Sequence, residues 1–294
     1  MPYIYVSKLN FNSKIFSVYD NQLALEDILN EILENINETD KYHLKTSVTY
    51  EDTRGNQQKK DSEESYFFNN LDINKSTRII KGDIIREYIK FYEHFDNIKN
   101  DVILKSDTIA SKIKFYFDVD KEFIGFCTRQ KFGYNQFNTA FKGLLESFLP
   151  QYGFELFLLK DKNKIDTAIQ SFDRIDKVVA TIIPINPNNN ELDDLLEDSE
   201  LFKEGNIKQA KFEYESSKKD DGLDMNAGVF KKIIRFIQKG YGDLNIHGKF
   251  QNHHKIFKSN SDAPMTSYVP ENSSDDEFYS EVENFFANID DDNL

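Results

Sequence analysis

Residues Lys112–Thr128, KIKFYFDVDKEFIGFCT, decide the fold of this chain. Apolar side chains alternate along Lys112–Phe117 and again along Phe123–Thr128, which is the two-residue period of β-strands. Between the two runs, Asp118-Val119-Asp120-Lys121 has the composition of a turn. The stretch therefore predicts an antiparallel β-hairpin.

The residues that follow alternate between helix and strand patterns. Asn135–Leu149 has an apolar helical stripe that stops at Pro150. A strand at Tyr152–Leu159, a short helix at Asn163–Gln170 and a strand at Arg174–Ile183 come next. The β-β-α-β-α-β order predicts an α+β fold. We expect mixed, largely antiparallel sheets, helices packed mainly on one face, and ferredoxin-like β-β-α-β elements.

The flanking regions give further elements. N-terminal to the hairpin, the patterns predict strands at Tyr3–Leu9, Ile15–Tyr19 and Tyr42–Tyr50, a helix at Leu23–Ile36, a mobile loop at Thr53–Glu64 and a polar connector at Glu93–Ser106. C-terminal to it, they predict helices at Leu192–Leu201 and Met225–Lys239 and a last strand at Leu244–Phe250. We divide the chain into an α+β region over 1–106, a second α+β region over 107–258 and an acidic tail over 259–294.

Charge is unevenly distributed along the C-terminal third. One stretch contains seven basic residues and a single acid, Asp243; the basic residues are Lys231, Lys232, Arg235, Lys239, Lys249, Lys255 and Lys258. A basic excess that continues from a helix into the next strand is typical of a surface that binds phosphates or an acidic partner. The alternative is the ordinary solvated side of an amphipathic helix.

The tail carries ten acids and no Lys or Arg, and supplies −10 of the formal charge of −14. Asn260–Ser274 is predicted to be a disordered spacer. A helical stripe follows it, formed by Phe278, Val282, Phe285, Phe286 and Ile289. This pattern is typical of a helix that docks into a partner's groove or regulates the basic surface. It is equally compatible with a helix packed on its own domain.

Composition bounds the function classes. The single cysteine, Cys127, excludes a disulfide framework within one chain. The N-terminus has no apolar signal segment, and the apolar runs are too short to span a membrane, so we expect a soluble cytoplasmic protein. The sequence has no P-loop, no G-x-S-x-G and no G-x-G-x-x-G motif. We predict no cofactor, and binding is favoured over small-molecule catalysis.

Two groups of residues offer alternatives with a metal. Asp118 and Asp120 lie two positions apart and would share one face of a strand, where they could hold Mg²⁺ in a nuclease or phosphodiesterase. A solvated turn is the simpler interpretation of the pair. His247, His253 and His254 follow no common zinc spacing, so we predict no metal site there.

Several short motifs resemble one bacterial family, Domain of Unknown Function 4747. They are Phe115-Tyr116-Phe117-Asp118-Val119, Phe123-Ile124-Gly125-Phe126, a helix near Tyr134, a strand ending near Asn186-Pro187, the acidic segment Glu191–Asp198, and Gly240-Tyr241-Gly242 before a strand. The resemblance covers about Ile109 to Phe250. It implies no catalytic residues, and it implies an accessory role in mobile elements or phage defence.

These observations favour a non-enzymatic accessory protein of a bacterial phage-defence or mobile-element system. We expect it to bind nucleic acid or an acidic protein surface, with a second protein of the same operon as a further candidate partner. The alternatives are the metal-dependent nuclease on Asp118 and Asp120, and an inhibitor whose acidic tail mimics nucleic acid.

Overall fold

The computed structural model describes residues 3–51, 55–129, 132–187, 193–217, 221–270 and 272–289, and these form two antiparallel sheets. The first contains β1 (Tyr3–Phe11), β2 (Tyr42–Glu51), β3 (Gln57–Asn74), β4 (Ile79–Asp96), β5 (Asp101–Asp118), β6 (Phe123–Cys127), β7 (Phe154–Leu158) and β12 (Thr266–Tyr268). The second contains β8 (Arg174–Ile182), β9 (Ala210–Glu215), β10 (Gly242–Phe250) and β11 (His253–Lys258).

The strand order is β12-β1-β6-β5-β4-β3-β2 in the first sheet, with β7 also paired to β1, and β11-β10-β8-β9 in the second. The helices are α1 (Ile15–Tyr19), α2 (Leu25–Asn35), α3 (Tyr134–Phe148), α4 (Lys162–Gln170), α5 (Asp193–Glu204), α6 (Gly228–Gln238), α7 (Ser259–Asp262) and α8 (Asp275–Ala287). The predicted α+β class with largely antiparallel sheets is confirmed. Within the described ranges, no helix has both the length and the apolar composition to cross a membrane.

The predicted hairpin is confirmed in β5 and β6, which pair with Phe115 opposite Phe126. The Asp118 carboxylate accepts a hydrogen bond from the backbone N–H of Lys121, 3.0 Å away, as a turn aspartate does. Glu122 ends the turn in the left-handed region, with a φ of 58°. This uncommon conformation is one that a tight turn can impose.

The aromatic side chains of the hairpin point alternately to the two faces of the first sheet. Phe115 and Phe117 contact Phe141 of α3 edge to face, with ring centroids 5.3 and 5.8 Å apart. Tyr116 points the other way and contacts Phe286 of α8 at 5.7 Å. Helices therefore cover both faces, and the prediction that they pack mainly on one face is not confirmed.

The ferredoxin-like arrangement is not confirmed either. After α3 the chain enters β7, which pairs with β1 so that Leu9 lies opposite Leu156. After α4 it enters β8, which belongs to the second sheet. The order of elements along the chain matches the prediction, but its strands are divided between two sheets.

Three N-terminal predictions are wrong. Ile15–Tyr19 forms α1, because its buried residues Ile15 and Val18 have helical spacing. Thr53 and Arg54 lie outside the described residues, but most of the remaining predicted loop lies in β3. The predicted connector Glu93–Ser106 forms the ends of β4 and β5. Backbone pairing forms these strands whatever their polarity, since β4 and β5 stay in register from Ile79↔Asp118 to Asp96↔Asp101.

The predicted acidic tail is part of the fold. β12 lies in the predicted disordered spacer and pairs with β1, with Thr266 opposite Tyr5. α8 begins at a capping box in which Ser274 and Glu277 exchange hydrogen bonds. The three predicted segments, 1–106, 107–258 and 259–294, therefore all contribute strands to the first sheet.

The docking interpretation of the tail stripe is corrected by its burial. Phe278, Val282 and Phe286 are at most 5% exposed and pack on the first sheet, and Phe285 and Ile289 are partly buried against the same cluster. An amphipathic helix buries its stripe in whichever groove is available, and here the groove belongs to its own chain. The Asp275 carboxylate contacts Lys114 of β5 at 2.6 Å, so this acid of the tail contacts the first sheet and not the basic stretch.

A buried ion pair links β1 to the hairpin. The Lys8 ammonium lies 2.9 Å from a carboxylate oxygen of Glu122, and the two side chains are 9% and 0% exposed. Burial alone would lower the pKa of Lys8, but the carboxylate outweighs it and the net shift is upward. The Lys8 ammonium also lies 5.5 Å from the ring centroid of Tyr241, which precedes β10, and burial raises the pKa of that tyrosine to about 12.

Side-chain amides make a further junction between the sheets. Asn186, after β8, accepts a hydrogen bond from the N–H of Phe11 (3.1 Å) and donates one to the carbonyl of Leu9 (3.0 Å). Asn10 donates to the carbonyl of Gly240 at 3.0 Å. These residues are buried, so each bond replaces water that the groups cannot reach. β1 is thus bonded both to its own sheet and to segments that flank strands of the second sheet.

We expect Glu122→Gln to destabilise the protein by about 3–5 kcal/mol, because it leaves the Lys8 ammonium buried without an anion. Urea unfolding followed by circular dichroism measures the change. The double variant Lys8→Met with Glu122→Gln should recover much of the loss, since no uncompensated charge remains. Equal losses in the single and double variants would contradict the ion-pair argument.

We expect Phe286→Ala to cost about 3–5 kcal/mol, because it opens a cavity beside Tyr116 and Phe123. Phe285→Ala, at a partly buried position on the same helix, is the matched control and should cost clearly less. Truncation after Lys258 should give insoluble protein, since it removes β12 and α8. A soluble, folded truncation product would contradict this placement of the tail.

Candidate functional site

The second sheet has one face packed against α6. The stripe of this helix includes Phe230, Ile233 and Ile237, which belong to the same buried cluster as Leu244 and Ile246 of β10. Phe257 of β11, opposite Ile246 in the sheet, belongs to it as well. Because side chains alternate along a strand, the residues between these buried positions point to the other face.

We call this other side of the second sheet the open face. Its rows, read across β11, β10, β8 and β9 from the strand register, are Lys258–Asn245–Val179–Glu213 and Ile256–His247–Lys177–Glu215, with Asp243–Thr181–Lys211 and His254–Lys249–Arg174 as shorter rows. All of these side chains are exposed or half-buried. The face therefore presents a solvated surface of charged, imidazole and small apolar groups.

The two halves of the open face differ in electrostatics. On the β8–β9 half, Lys177 ion-pairs with Glu213 and with Glu215, the latter at 3.2 Å. On the β10–β11 half, Lys249 and Lys258 make no ion pair with any residue that the structure describes. Lys177 is therefore neutralised within its own half, whereas the other half has excess positive charge.

We call Asn245, His247, Lys249, His254, Ile256 and Lys258 the cationic half. Its centre is occupied by His247 and Ile256, which lie opposite each other. The His247 and His254 rings are 6.1 Å apart. Lys258 and Lys249 flank this centre at a separation of four residues along β10, or about 14 Å. The arrangement thus places one lysine on each side of a surface formed by imidazole rings and the Ile256 side chain.

The structure divides the seven predicted basic residues. Lys231, Lys232, Arg235 and Lys239 lie on α6 or at its C-terminal cap, on one side of the second sheet, and Lys249 and Lys258 lie on the open face. Lys255 is on the α6 side, where its ammonium donates to the Ser171 hydroxyl at 2.6 Å and sits over two phenylalanine rings. The expectation of one continuous basic face is therefore corrected.

The helix group is also less available for a ligand. Lys232, Arg235 and Lys239 each have an interaction partner within the chain. Lys231 is exposed at the start of α6. Of the two groups of cations, those on the open face are better placed to contact a ligand.

Asp118 and Asp120 have separate structural partners. Asp118 is half-buried in the turn of the hairpin, and burial raises its pKa. Asp120 ion-pairs with Arg78, whose guanidinium also contacts Asn30 and Glu26 of α2. Across the described parts of the chain, no group of three or more His, Cys, Asp or Glu residues could hold a metal ion.

The three candidate histidines are also divided. His247 and His254 lie on the open face, whereas His253 lies opposite Phe250 and points to the α6 side. Only two of the three rings are thus near each other, and these two sit among lysines. This setting suits anion or base contacts better than a cation.

Sequence reasoning missed a buried lysine next to the open face. Lys160 is fully buried, and burial lowers its pKa, an effect that Asp243 partly offsets. Its ammonium donates to the side-chain amide oxygen of Asn260 at 2.6 Å and lies 3.1 Å from the Asp243 carboxylate. The only acid of the basic stretch is thereby occupied. The signal in the sequence that could have indicated this contact is that Asp243 is the single acid of the basic stretch.

The chain belongs to the family described as Domain of unknown function (DUF4747), whose model matches residues 93–285. This confirms the resemblance seen in the sequence and extends it at both ends, from within β4 to within α8. The matched region thus contains the whole second sheet as well as β12 and most of α8. A comparison with curated proteins found no match.

We expect Asp118→Asn with Asp120→Asn to leave the protein folded, because Asn can also cap the turn, the Asp120 side chain is 58% exposed, and Arg78 keeps its contacts with Glu26 and Asn30. The melting temperature should fall by only a few degrees. Adding Mg²⁺ or Mn²⁺ in millimolar excess should leave the melting temperature of the unmodified protein unchanged, because bound metal would raise it. A metal-dependent rise that the double variant loses would favour the nuclease alternative.

Proposed function

We propose that this protein binds single-stranded nucleic acid through the cationic half of the second sheet. The observation that carries the proposal is the sequence of groups across two neighbouring strands: a lysine, an imidazole with an isoleucine, and a second lysine with an imidazole. Phosphates and bases alternate along a nucleic-acid strand in a comparable way. The proposal concerns binding and assigns no reaction.

Each group has a role in this interaction. Lys249 and Lys258 contact phosphates and release the counterions that those phosphates hold, so binding weakens as salt increases. The His247 ring and the Ile256 side chain provide a surface on which an unpaired base stacks. Asn245, half-buried beside Lys258, offers a donor and an acceptor to a base edge. Duplex bases are already stacked, so single strands are the preferred ligand.

The biological setting is part of the same proposal. The family resemblance implies an accessory protein of phage defence or of mobile elements, where single strands of foreign nucleic acid occur. An acidic protein of the same operon is the second candidate for this surface, because it also presents anions to the two lysines. We predict a cytoplasmic location for the protein itself.

The test is fluorescence anisotropy with labelled single-stranded DNA and RNA of about 15 nucleotides, a length that spans such a surface. We expect Lys249→Glu with Lys258→Glu to weaken binding at least about tenfold at low salt. The slope of log K against log salt should fall by about 1.4, since each single-strand phosphate contact contributes about 0.7. His247→Ala should weaken binding while changing the slope little, because stacking is not ionic.

The matched control changes two exposed lysines outside the second sheet, Lys75→Glu with Lys231→Glu. It alters the net charge of the protein equally and should retain most of the affinity. An equal loss in the control would mean that only net charge matters, which contradicts the proposal. Absence of binding to every oligonucleotide, at low salt and high protein concentration, also contradicts it.

A further inference from the structure

β4 and β5 continue beyond the main body of the first sheet. β3 pairs with β4 only as far as Ser65 opposite Glu87, and β6 pairs with β5 only as far as Phe126 opposite Phe115. Among the described residues, Asp101–Lys114 of β5 is thus paired on one side only, by β4. We call Asp101–Lys114 the free edge of β5.

Two of the usual protections against pairing are absent from this edge, although it carries charged side chains. The β4–β5 register runs without a bulge, and the edge contains no proline that would block a ladder. The ribbon formed by the two strands also exposes large apolar side chains: Ile89 at 37%, Phe95 at 51%, Ile98 at 96% and Leu104 at 36%. A two-stranded ribbon is marginally stable by itself in water, so a third strand would stabilise it.

The sequence of the edge is complementary to itself. Asp101–Lys114 reads DVILKSDTIASKIK. A second copy can run antiparallel so that Ser106 faces Ser106 across a two-fold axis. The residue numbers of each facing pair then sum to 212. The pairs are then Lys105 with Asp107, Leu104 with Thr108, Ile103 with Ile109, and Val102 with Ala110. Opposite charges and β-branched or aliphatic side chains in direct opposition stabilise antiparallel strands.

Charge disfavours the registers directly on either side of this one. Facing side chains of paired strands lie on the same side of the sheet. A two-fold axis normal to the sheet must therefore lie midway between the two copies of one residue, which faces itself; each register is named here by that residue. An axis at Lys105 places lysine opposite lysine, and an axis at Asp107 places aspartate opposite aspartate. An axis at Leu104 places Asp107 opposite Asp101. The axis at Ser106 removes all three repulsions.

We propose that two copies of this chain associate by antiparallel pairing of their β5 free edges about Ser106. The partner is a second copy because the edge matches itself in charge and in apolar pattern. The dimer contains a continuous ribbon β4-β5-β5-β4, in which the backbone N–H and C=O groups of both edges are satisfied. The association is independent of the cationic half, which lies on the other sheet.

Edge pairing of this length forms an interface at the small end of the range for specific contacts. We therefore expect a dissociation constant of about 1–100 µM, which makes the dimer dependent on concentration. Sedimentation velocity over a concentration series should show a monomer–dimer equilibrium in the unmodified protein. A monomer at all concentrations up to about 300 µM would overturn the proposal.

Charge exchange tests the register. Lys105→Asp places two aspartates opposite each other twice in the dimer, and Asp107→Lys does the same with lysines. Each single variant should weaken dimerisation at least about tenfold. The double variant Lys105→Asp with Asp107→Lys restores opposite charges at both sites and should dimerise again. An equimolar mixture of the two single variants should form heterodimers, because both of its charge pairs are attractive.

Controls separate this effect from misfolding. Within its own chain Asp107 lies opposite Lys90 and accepts a hydrogen bond from the Tyr92 hydroxyl, so circular dichroism and melting temperature are recorded for each variant. Lys99→Asp, in the turn at the tip of the ribbon, makes the same charge change away from the edge and should dimerise normally. Dimerisation that survives both single variants would show that the two copies meet elsewhere.

Discussion

The buried ammonium of Lys8 is the constraint on which the rest of the structure depends. A charge without water requires an anion at contact distance, and the Glu122 carboxylate at 2.9 Å supplies it. Glu122 reaches this position because the turn holds it in the left-handed region, while its backbone carbonyl accepts from the N–H of Leu9 at 2.8 Å. The pair also faces the ring of Tyr241, so one interaction relates β1, the hairpin and the start of β10.

The turn of the hairpin therefore does more than reverse the chain. Asp118 accepts from the backbone of the turn, Asp120 holds Arg78 and through it α2, and Lys121 donates to the carbonyl of Phe286 at 3.2 Å. Asp118 thus stabilises the turn itself, whereas Asp120 and Lys121 each contact a different element around the first sheet. These contacts give both carboxylates a structural role, and they explain why the turn, rather than the strands alone, decides the fold.

Local patterns predicted those elements whose stability is itself local. The hairpin and α3 were predictable because apolar residues recur at intervals of two or of three to four. The polar first part of β3 and the tips of β4 and β5 were not, because their ladder bonds are made by backbone groups that every sequence possesses. The stripe of α8 that includes Val282 and Phe286 was recognised, but the surface on which it packs was not. A helix that docks on its own sheet and one that docks on another protein have the same pattern.

The charged surfaces illustrate the same limit from the other direction. The basic residues of α6 recur at helical intervals, whereas Lys249 and His247 follow the two-residue period of a strand. A run of basic residues that changes from helical to strand spacing can lie on two different surfaces. The separation of these residues onto the two sides of the second sheet could therefore have been inferred from the sequence. Self-complementarity about Ser106 was also present there, but it has physical meaning only for a strand with an unpaired side. The order and register of the strands must therefore be known before a pattern of charges can be assigned to a surface and to a partner.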